Sequence, residues 1–101
     1  MNVVAVDLGA TSVRVVAVDL DASPPRARVV HRAANVPVSD GRGHLRWDWA
    51  HLIDEVDRGL ALALVEEGPI ASIGVDTWGV DYGLLDERGR LVAPPFSYRD
   101  H

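Results

Sequence analysis

The chain has 101 residues and a net charge of −5, with 48% hydrophobic and 25% charged residues, which is typical of one small globular domain or part of one. Its arginines are scattered and form no basic stripe, which argues against a nucleic-acid partner, and the lack of cysteine excludes disulfides and thiolate metal sites. The first apolar run is too short to cross a membrane and has no features of a secretory signal, so we expect a cytoplasmic protein.

Three strands are predicted at the start of the chain. Residues 2–7 are mostly apolar and rich in β-branched side chains, a pattern typical of a strand covered on both faces. A short turn at residues 8–11 leads to a second strand at 13–20, and two strands joined so closely should form an antiparallel hairpin. A third strand with a looser pattern is predicted over residues 27–36.

One long helix is predicted over residues 49–67, after a surface loop at 37–44. Apolar side chains recur there at helical spacing, which indicates an amphipathic helix. The carboxylate of Asp48 can accept amide hydrogens of the first turn, and Gly68, followed by proline, ends the helix. The strand predicted at 70–76 follows a helical crossover, so it should lie parallel to an earlier strand.

A last hairpin is predicted from residues 80–85 and 91–92, around a turn in which Gly89 is left-handed. The predicted order is therefore β-β-β-α-β-β-β, with the final strand the shortest. This order predicts an α/β fold in which a mixed sheet opens antiparallel, one long helix packs on it and a parallel strand returns beside the first.

The first polar cluster lies at the end of the first strand. Gly9 allows a ligand close to the backbone, Thr11 and Ser12 supply hydroxyl groups, and amides of such a turn can bind an anion. Arg14 is a charge among apolar neighbours, so it must find either a carboxylate or a phosphate. Two interpretations stay open, a structural pair between Asp7 and Arg14 and a phosphate site.

A second polar cluster follows the crossover strand. Trp78 and Gly79 lie between two acids, Asp76 and Asp81, and an aromatic wall beside carboxylates is typical of a sugar site. The alternatives are core packing for Trp78, a solvated turn for Asp81 and a strand end for Asp76. We interpret the cluster as a sugar site.

The motifs resemble those of a known enzyme family. No Walker loop or dinucleotide fingerprint is present, but the Asp-x-Gly-x-Thr pattern at 7–11 resembles the first phosphate loop of the ribonuclease H-like ATPase superfamily, where a β-hairpin holds the terminal phosphates. Residues 72–86, with 6–10, 46–48 and 98–100, resemble the FGGY carbohydrate kinases, and among them the rhamnulokinase family. The resemblance spans essentially all 101 residues.

The resemblance implies a ribonuclease H-like domain and an ATP-dependent kinase. Residues 1–101 would be the N-terminal portion of its sugar-binding domain, with the C-terminal domain absent. The implied reaction passes the γ-phosphate of MgATP to the 1-hydroxyl of L-rhamnulose, as in rhamnose catabolism. The catalytic base of the family is expected downstream of His101, so no catalytic residue is assigned in this chain, and the chain alone is expected to be inactive.

The resemblance also implies the binding residues. The ATP site would comprise a turn and its flanks: Asp7, Gly9, Ala10, Thr11, Ser12, Val13 and Arg14. Asp7 would lie near the magnesium ion and the γ-phosphate. The sugar site would comprise two short segments: Trp78, Gly79 and Asp81, then Tyr98, Arg99 and Asp100. Val13 replaces the glycine that the family carries after the serine, which is expected to alter the hairpin while the loop stays recognisable.

Three other functions remain open. One is another FGGY sugar kinase, and a second is an actin-like structural ATPase, which would share the first hairpin. The segment 78–81 argues against the actin-like ATPase, because a filament protein does not need an aromatic wall for a sugar at this position. The third is an interaction module without catalysis.

Overall fold

The computed structural model describes residues 1–100. Its elements, in chain order, are β1 Asn2–Leu8, β2 Ser12–Asp19, β3 Arg26–Ala34, β4 Val38–Ser39, β5 Leu45–Arg46, α1 Trp49–Glu67 and β6 Ile70–Asp76. The main sheet has the strand order β3-β2-β1-β6, and β4 and β5 form a separate two-stranded sheet. Within the described residues, no helix has the length and apolar character needed to span a bilayer.

His101 lies outside the described residues. The expectation that a catalytic base follows His101 is not tested by the described residues and stays a prediction.

The main sheet is mixed, as predicted. β1 and β2 form an antiparallel hairpin in which Asp7 lies opposite Arg14. β6 pairs in parallel with β1 and brings Asp76 beside Asp7. The short turn enforces the first pairing, and the helical crossover through α1 enforces the second. Both predictions are confirmed.

Helix α1 covers one face of the sheet and has the predicted bounds. The carboxylate of Asp48 accepts a hydrogen bond from the amide of His51 at 3.2 Å, so it caps the first turn. The core beneath the helix is formed by buried aliphatic side chains: Val4, Val6, Val15 and Ala63. Gly59 allows the close approach, because a Cβ atom there would lie 2.7 Å from Val15 Cβ.

The opposite face of the sheet is only partly covered. Ala5 is exposed and Val3 and Val16 are half-buried, so the prediction that β1 is covered on both faces is not met within residues 1–100. At the sheet edge, Ile73 is 54% exposed and Val75 is 63% exposed. The apolar pattern of these strands therefore exceeds what α1 alone can bury.

The predicted strands after β6 are not formed. Between residues 80 and 92 the structure has one isolated bridge, between Leu85 and Leu91, in place of a hairpin of two strands. The turn itself is as predicted, with Gly89 at φ +76°. A two-stranded ribbon without a third strand or a helix beneath it is marginal. The segment 37–44, which was predicted to be a loop, is more regular than expected, because it contains β4 and leads directly into β5.

The segment 94–98 packs along β5 and the residue that follows it. The amide of Trp47 donates to the carbonyl of Pro95 at 2.9 Å, and the amide of Ser97 donates to the carbonyl of Leu45 at 3.0 Å. These bonds bring the last part of the described chain beside the start of α1. They place Tyr98 near Trp47, with ring centroids 6.2 Å apart.

Candidate functional site

The turn between β1 and β2, residues 9–12, is held by side chains from two other segments. The carbonyl of Gly9 accepts from Asn35 Nδ2 at 3.0 Å and from Trp78 Nε1 at 3.2 Å. The backbone amide of Asn35 also donates to the carbonyl of Thr11 at 2.9 Å. The first polar cluster and the tryptophan corner are therefore in direct contact.

Two adjacent amides of this turn have no acceptor. Within residues 1–100, neither the amide of Ala10 nor that of Thr11 donates to a backbone or side-chain atom. Ala10 is half-buried and Thr11 is exposed. Successive unpaired amides in a turn form a concave anion-binding group, so the turn can accept a phosphate.

A row of four charged residues crosses the sheet at the end of β1. Asp76, Asp7, Arg14 and Arg32 occupy adjacent positions on β6, β1, β2 and β3. Because side chains alternate along a strand and Val6 faces α1, this row lies on the face away from the helix. Neighbouring strands are about 4.8 Å apart, so the two acids occupy neighbouring positions on this face and the two arginines occupy the next two.

Arg14 is paired with Asp7. Arg14 Nε donates to Asp7 Oδ2 at 3.0 Å, and Arg14 Nη2 contacts the same oxygen. The side chains are 41% and 28% exposed respectively. The pairing interpretation is therefore what the structure shows, but Asp7 Oδ1 accepts no hydrogen bond from the described residues. The pair leaves one carboxylate oxygen and part of the guanidinium available.

At the second corner, Trp78 stacks on Trp47. The ring centroids are 4.1 Å apart and the rings are 9° from parallel. Trp47 is fully buried, and its Nε1 donates to Asp81 Oδ2 at 2.5 Å. One face of Trp78 is thus packed, as the core alternative predicts, and Asp81 is the partner of a buried indole and not a solvated turn acid.

The rest of Trp78 borders a cavity of about 430 Å³, lined also by Leu8, Trp49, Val75 and Asp81. This volume is within the usual range for small-molecule sites. Trp78 is half-buried, so the ring is not sealed beneath other side chains. The cavity lies on the α1 side of the sheet, whereas the carboxylate of Asp7 points to the other side. The two corners meet only at the strand ends, where Trp78 contacts Gly9.

A larger cavity, about 530 Å³, lies near the β4–β5 hairpin and contains Asp40, Arg42 and Arg46. Asp40 is held by the amide of Arg42 at 2.7 Å, the amide of His44 at 3.2 Å and Arg46 Nε at 3.3 Å. The hydrogen bond from the Arg42 amide is the main cause that lowers the pKa of Asp40 below its ordinary value. These contacts give Asp40 a structural role in the hairpin.

The remaining predicted sugar residues, Gly79, Tyr98, Arg99 and Asp100, lie at separate places. Gly79 is exposed, and a Cβ atom there would meet nothing within 4 Å. Tyr98 shares a small cavity of about 240 Å³ with Asp81. Asp100 instead binds the β4–β5 hairpin, accepting from the amide of Leu45 at 2.9 Å, and Arg99 lines a different cavity. None of these four residues, Gly79, Tyr98, Arg99 and Asp100, borders the cavity at Trp78.

Sequence reasoning assigned no role to Asn35 or Trp47. Asn35 is fully buried, and its Oδ1 atom has no hydrogen-bond partner among the described residues. The sequence carried a weak signal for Trp47, which directly precedes the helix cap. For Asn35 it carried none, because an asparagine at a strand end is ordinarily a turn residue.

The chain is similar to curated rhamnulokinases, although no family model matches it. The protein from Mannheimia succiniciproducens is 43% identical over 103 residues, covering 100% of this chain and 21% of that protein. The one from Klebsiella pneumoniae strain 342 is 47% identical over 100 residues (96% and 20%), and that from Bacteroides thetaiotaomicron is 40% identical over 99 residues (98% and 20%). The chain thus spans about one fifth of the length of these relatives.

A solved structure shares the fold. The crystal structure of xylulose kinase from Rhodospirillum rubrum matches with a TM-score of 0.78 at 24% identity, covering 100% of this chain and 21% of that one. This likeness confirms the predicted α/β fold of the ribonuclease H-like type. Over essentially its whole length the chain resembles about one fifth of a rhamnulokinase, and the resemblance indicated by residues 72–86 is confirmed.

Proposed function

We propose that residues 1–101 form the N-terminal, sugar-side portion of an ATP-dependent carbohydrate kinase that phosphorylates L-rhamnulose at its 1-hydroxyl. The contact between Trp78 Nε1 and the carbonyl of Gly9, at 3.2 Å, carries the proposal. It joins a turn suited to phosphate and an aromatic corner suited to a sugar, so the donor and acceptor molecules would meet at the ends of β1 and β6.

The phosphate end is supported by charge and by free donors. The unpaired amides of Ala10 and Thr11 would bind oxygens of the terminal phosphates. Arg14 would add positive charge, since its guanidinium is partly exposed beside Asp7. Phosphoryl transfer depends mainly on such positioning and charge stabilisation.

The carboxylates fit a magnesium ion that arrives with ATP. Asp7 Oδ1 is unused within the described residues, and Asp76 beside it is exposed. Residues 1–100 contain no cluster of three or more potential metal ligands. Magnesium in such sites ordinarily takes one or two carboxylates and completes its shell with phosphate oxygens and water. Asp7 would hold the ion, which neutralises charge on the phosphates when it is bound.

The sugar end is supported by the corner that contains Trp78, Gly79 and Asp81. The cavity there is largely apolar, and Asp81 adds a carboxylate. A ketose combines apolar C–H faces with hydroxyl groups, and both features match an indole ring beside a carboxylate. A sugar at this corner would reach the phosphates around the strand ends, over the open position of Gly79.

A decisive test uses the full-length protein that contains this chain. We expect MgATP consumption, measured as ADP release, to depend on L-rhamnulose and to be much slower with D-xylulose or glycerol. The isolated chain should show no turnover, because we propose that the catalytic base and the adenine site lie outside residues 1–101. A full-length protein that consumes no ATP with any of these sugars, or that forms filaments with ATP in light scattering, would refute the proposal.

A further inference from the structure

The carbonyl of Gly9 does not accept the hydrogen bond that is usual at this position of a hairpin turn. In a hairpin with a two-residue turn, this carbonyl ordinarily accepts from the amide of the residue three positions on, here Ser12. Within residues 1–100 no such bond forms, although the amide of Gly9 does donate to the carbonyl of Ser12 at 2.8 Å. The Gly9 carbonyl accepts instead from Asn35 Nδ2 and Trp78 Nε1.

This arrangement fixes the direction of the next amide. The peptide bond between Gly9 and Ala10 is trans. In a trans peptide, the C=O and N–H groups point in opposite directions. Holding the Gly9 carbonyl against Asn35 and Trp78 therefore turns the amide of Ala10 outward, on the side where the turn has free donors.

Asn35 acts at two points of the turn. Its side chain binds the Gly9 carbonyl at 3.0 Å, and its backbone amide binds the Thr11 carbonyl at 2.9 Å. The residue is fully buried, and a buried side-chain amide destabilises the fold unless it makes hydrogen bonds. Asn35 thus lies behind the turn, where it can shape the turn without touching a ligand.

Trp78 is itself rigidly placed. Its ring stacks on Trp47 at a centroid distance of 4.1 Å, and Trp47 is anchored by Asp81. A continuous set of contacts therefore runs from Asp81 through the two indoles to Gly9. Such a stack limits the positions that the Trp78 N–H can take.

We propose that Asn35 and Trp78 are positioning residues for the phosphate turn, which hold the Gly9 carbonyl so that the Ala10 and Thr11 amides remain directed at the terminal phosphates of ATP. The inference rests on the proposed kinase function and deepens it. Trp78 acts on the nucleotide through Gly9, in addition to bordering the sugar cavity.

The variant Trp78→Phe in the full-length protein tests the role of the indole N–H. Phenylalanine keeps an aromatic ring against Trp47 but cannot donate to the Gly9 carbonyl. Loss of one such hydrogen bond should raise the calorimetric Kd for MgADP and the KM for MgATP roughly three- to ten-fold. Unchanged nucleotide constants in a folded Trp78→Phe protein would overturn the inference, whatever the KM for L-rhamnulose, because Trp78 also borders the sugar cavity.

Asn35→Ala provides a second variant, with Asn2→Ala as its matched control. Asn2 Nδ2 also donates to a backbone carbonyl, that of Glu67 at 2.8 Å, but at the opposite end of β1. Only Asn35→Ala should weaken MgADP binding, again roughly three- to ten-fold. Equal effects of the two variants would contradict the inference. If melting shows that Asn35→Ala does not fold, Trp78→Phe alone decides.

The two proposals fail in different ways. A wild-type protein that binds MgADP but phosphorylates no ketose would refute the kinase function, while the calorimetric comparison of the variants still decides the positioning role. An active wild-type protein whose Trp78→Phe and Asn35→Ala variants bind MgADP normally would refute the positioning role alone. A wild-type protein that binds no MgADP would refute both.

Discussion

Trp47 and Trp78 lie almost parallel, with ring centroids 4.1 Å apart, although one precedes α1 and the other follows β6. The stacked pair therefore joins the segment before α1 to the segment after β6. Asp81 then binds the buried N–H of Trp47. The corner interpreted as a sugar site is consequently also part of the packing that holds the domain together.

Asp81→Ala is expected to lower the free energy of unfolding by about 1 to 3 kcal/mol, because it leaves the buried indole N–H of Trp47 without a partner. Urea denaturation measures this loss. Asp81→Asn is the matched variant, since its side-chain oxygen can still accept from Trp47, and it should retain most of the stability. An alanine variant as stable as the wild type would contradict the structural role of Asp81.

Gly59→Ala is expected to destabilise the protein despite the better helix propensity of alanine. The new methyl group would overlap Val15 and lie 3.3 Å from His31 Cβ. Overpacking of this kind costs about 1 to 3 kcal/mol, against roughly 1 kcal/mol gained from propensity. Thermal denaturation measures the net effect. Ala61→Gly, at an exposed position of α1, reports propensity alone, and a Gly59→Ala protein with a higher Tm than the wild type would show that the helix can move away.

Asp7→Asn in the full-length protein is expected to lower kcat by about a hundred-fold, the usual scale for losing one charge-stabilising group. The KM for the sugar should change little, because Asp7 faces away from the cavity at Trp78. Steady-state kinetics separates the two constants. Asp19→Asn, at the far end of the same hairpin, is the control and should retain wild-type kcat. If Asp7→Asn also retains it, Asp7 is only the structural partner of Arg14.

The β4–β5 hairpin is expected to loosen in acid. Hydrogen bonds hold the pKa of Asp40 below its ordinary value of 3.8, and the bond from the Arg42 amide has the largest effect. A carboxyl group with a lowered folded-state pKa stabilises the fold above its ordinary pKa, and this contribution is lost as the pH falls through the lowered value. NMR titration of the Arg42 and His44 amides should show a midpoint below about 3.8. The transition should be absent in Asp40→Asn, and a midpoint above the ordinary value would contradict the assignment.

Local patterns predicted the regular elements closely. The bounds of α1 were correct because Asp48, the apolar repeat and Gly68 act within a few residues of one another. The parallel return of β6 followed from the crossover, a rule of connectivity. The hairpin after β6 was overestimated, since Leu85 and Leu91 resemble strand residues but have no third strand to pair with.

The contacts at the two polar corners were predicted less evenly. Asp7, Trp78 and Asp81 were singled out as candidate binding residues, which they remain, because acids and a tryptophan at strand ends are visible in the sequence. Asn35 and Trp47 were not, because their roles depend on partners at Gly9 and Asp81 that lie far away in the chain.

The sequence by itself determined the order of the main elements, the antiparallel opening of the sheet and the positions of its two polar corners, since these depend on short-range sterics, capping and periodicity. Only the tertiary structure decided that Arg14 pairs with Asp7, that Trp78 stacks on Trp47 and that the two corners meet at the carbonyl of Gly9. Side-chain partners of this kind are chosen by distance in the folded chain, which local sequence does not encode.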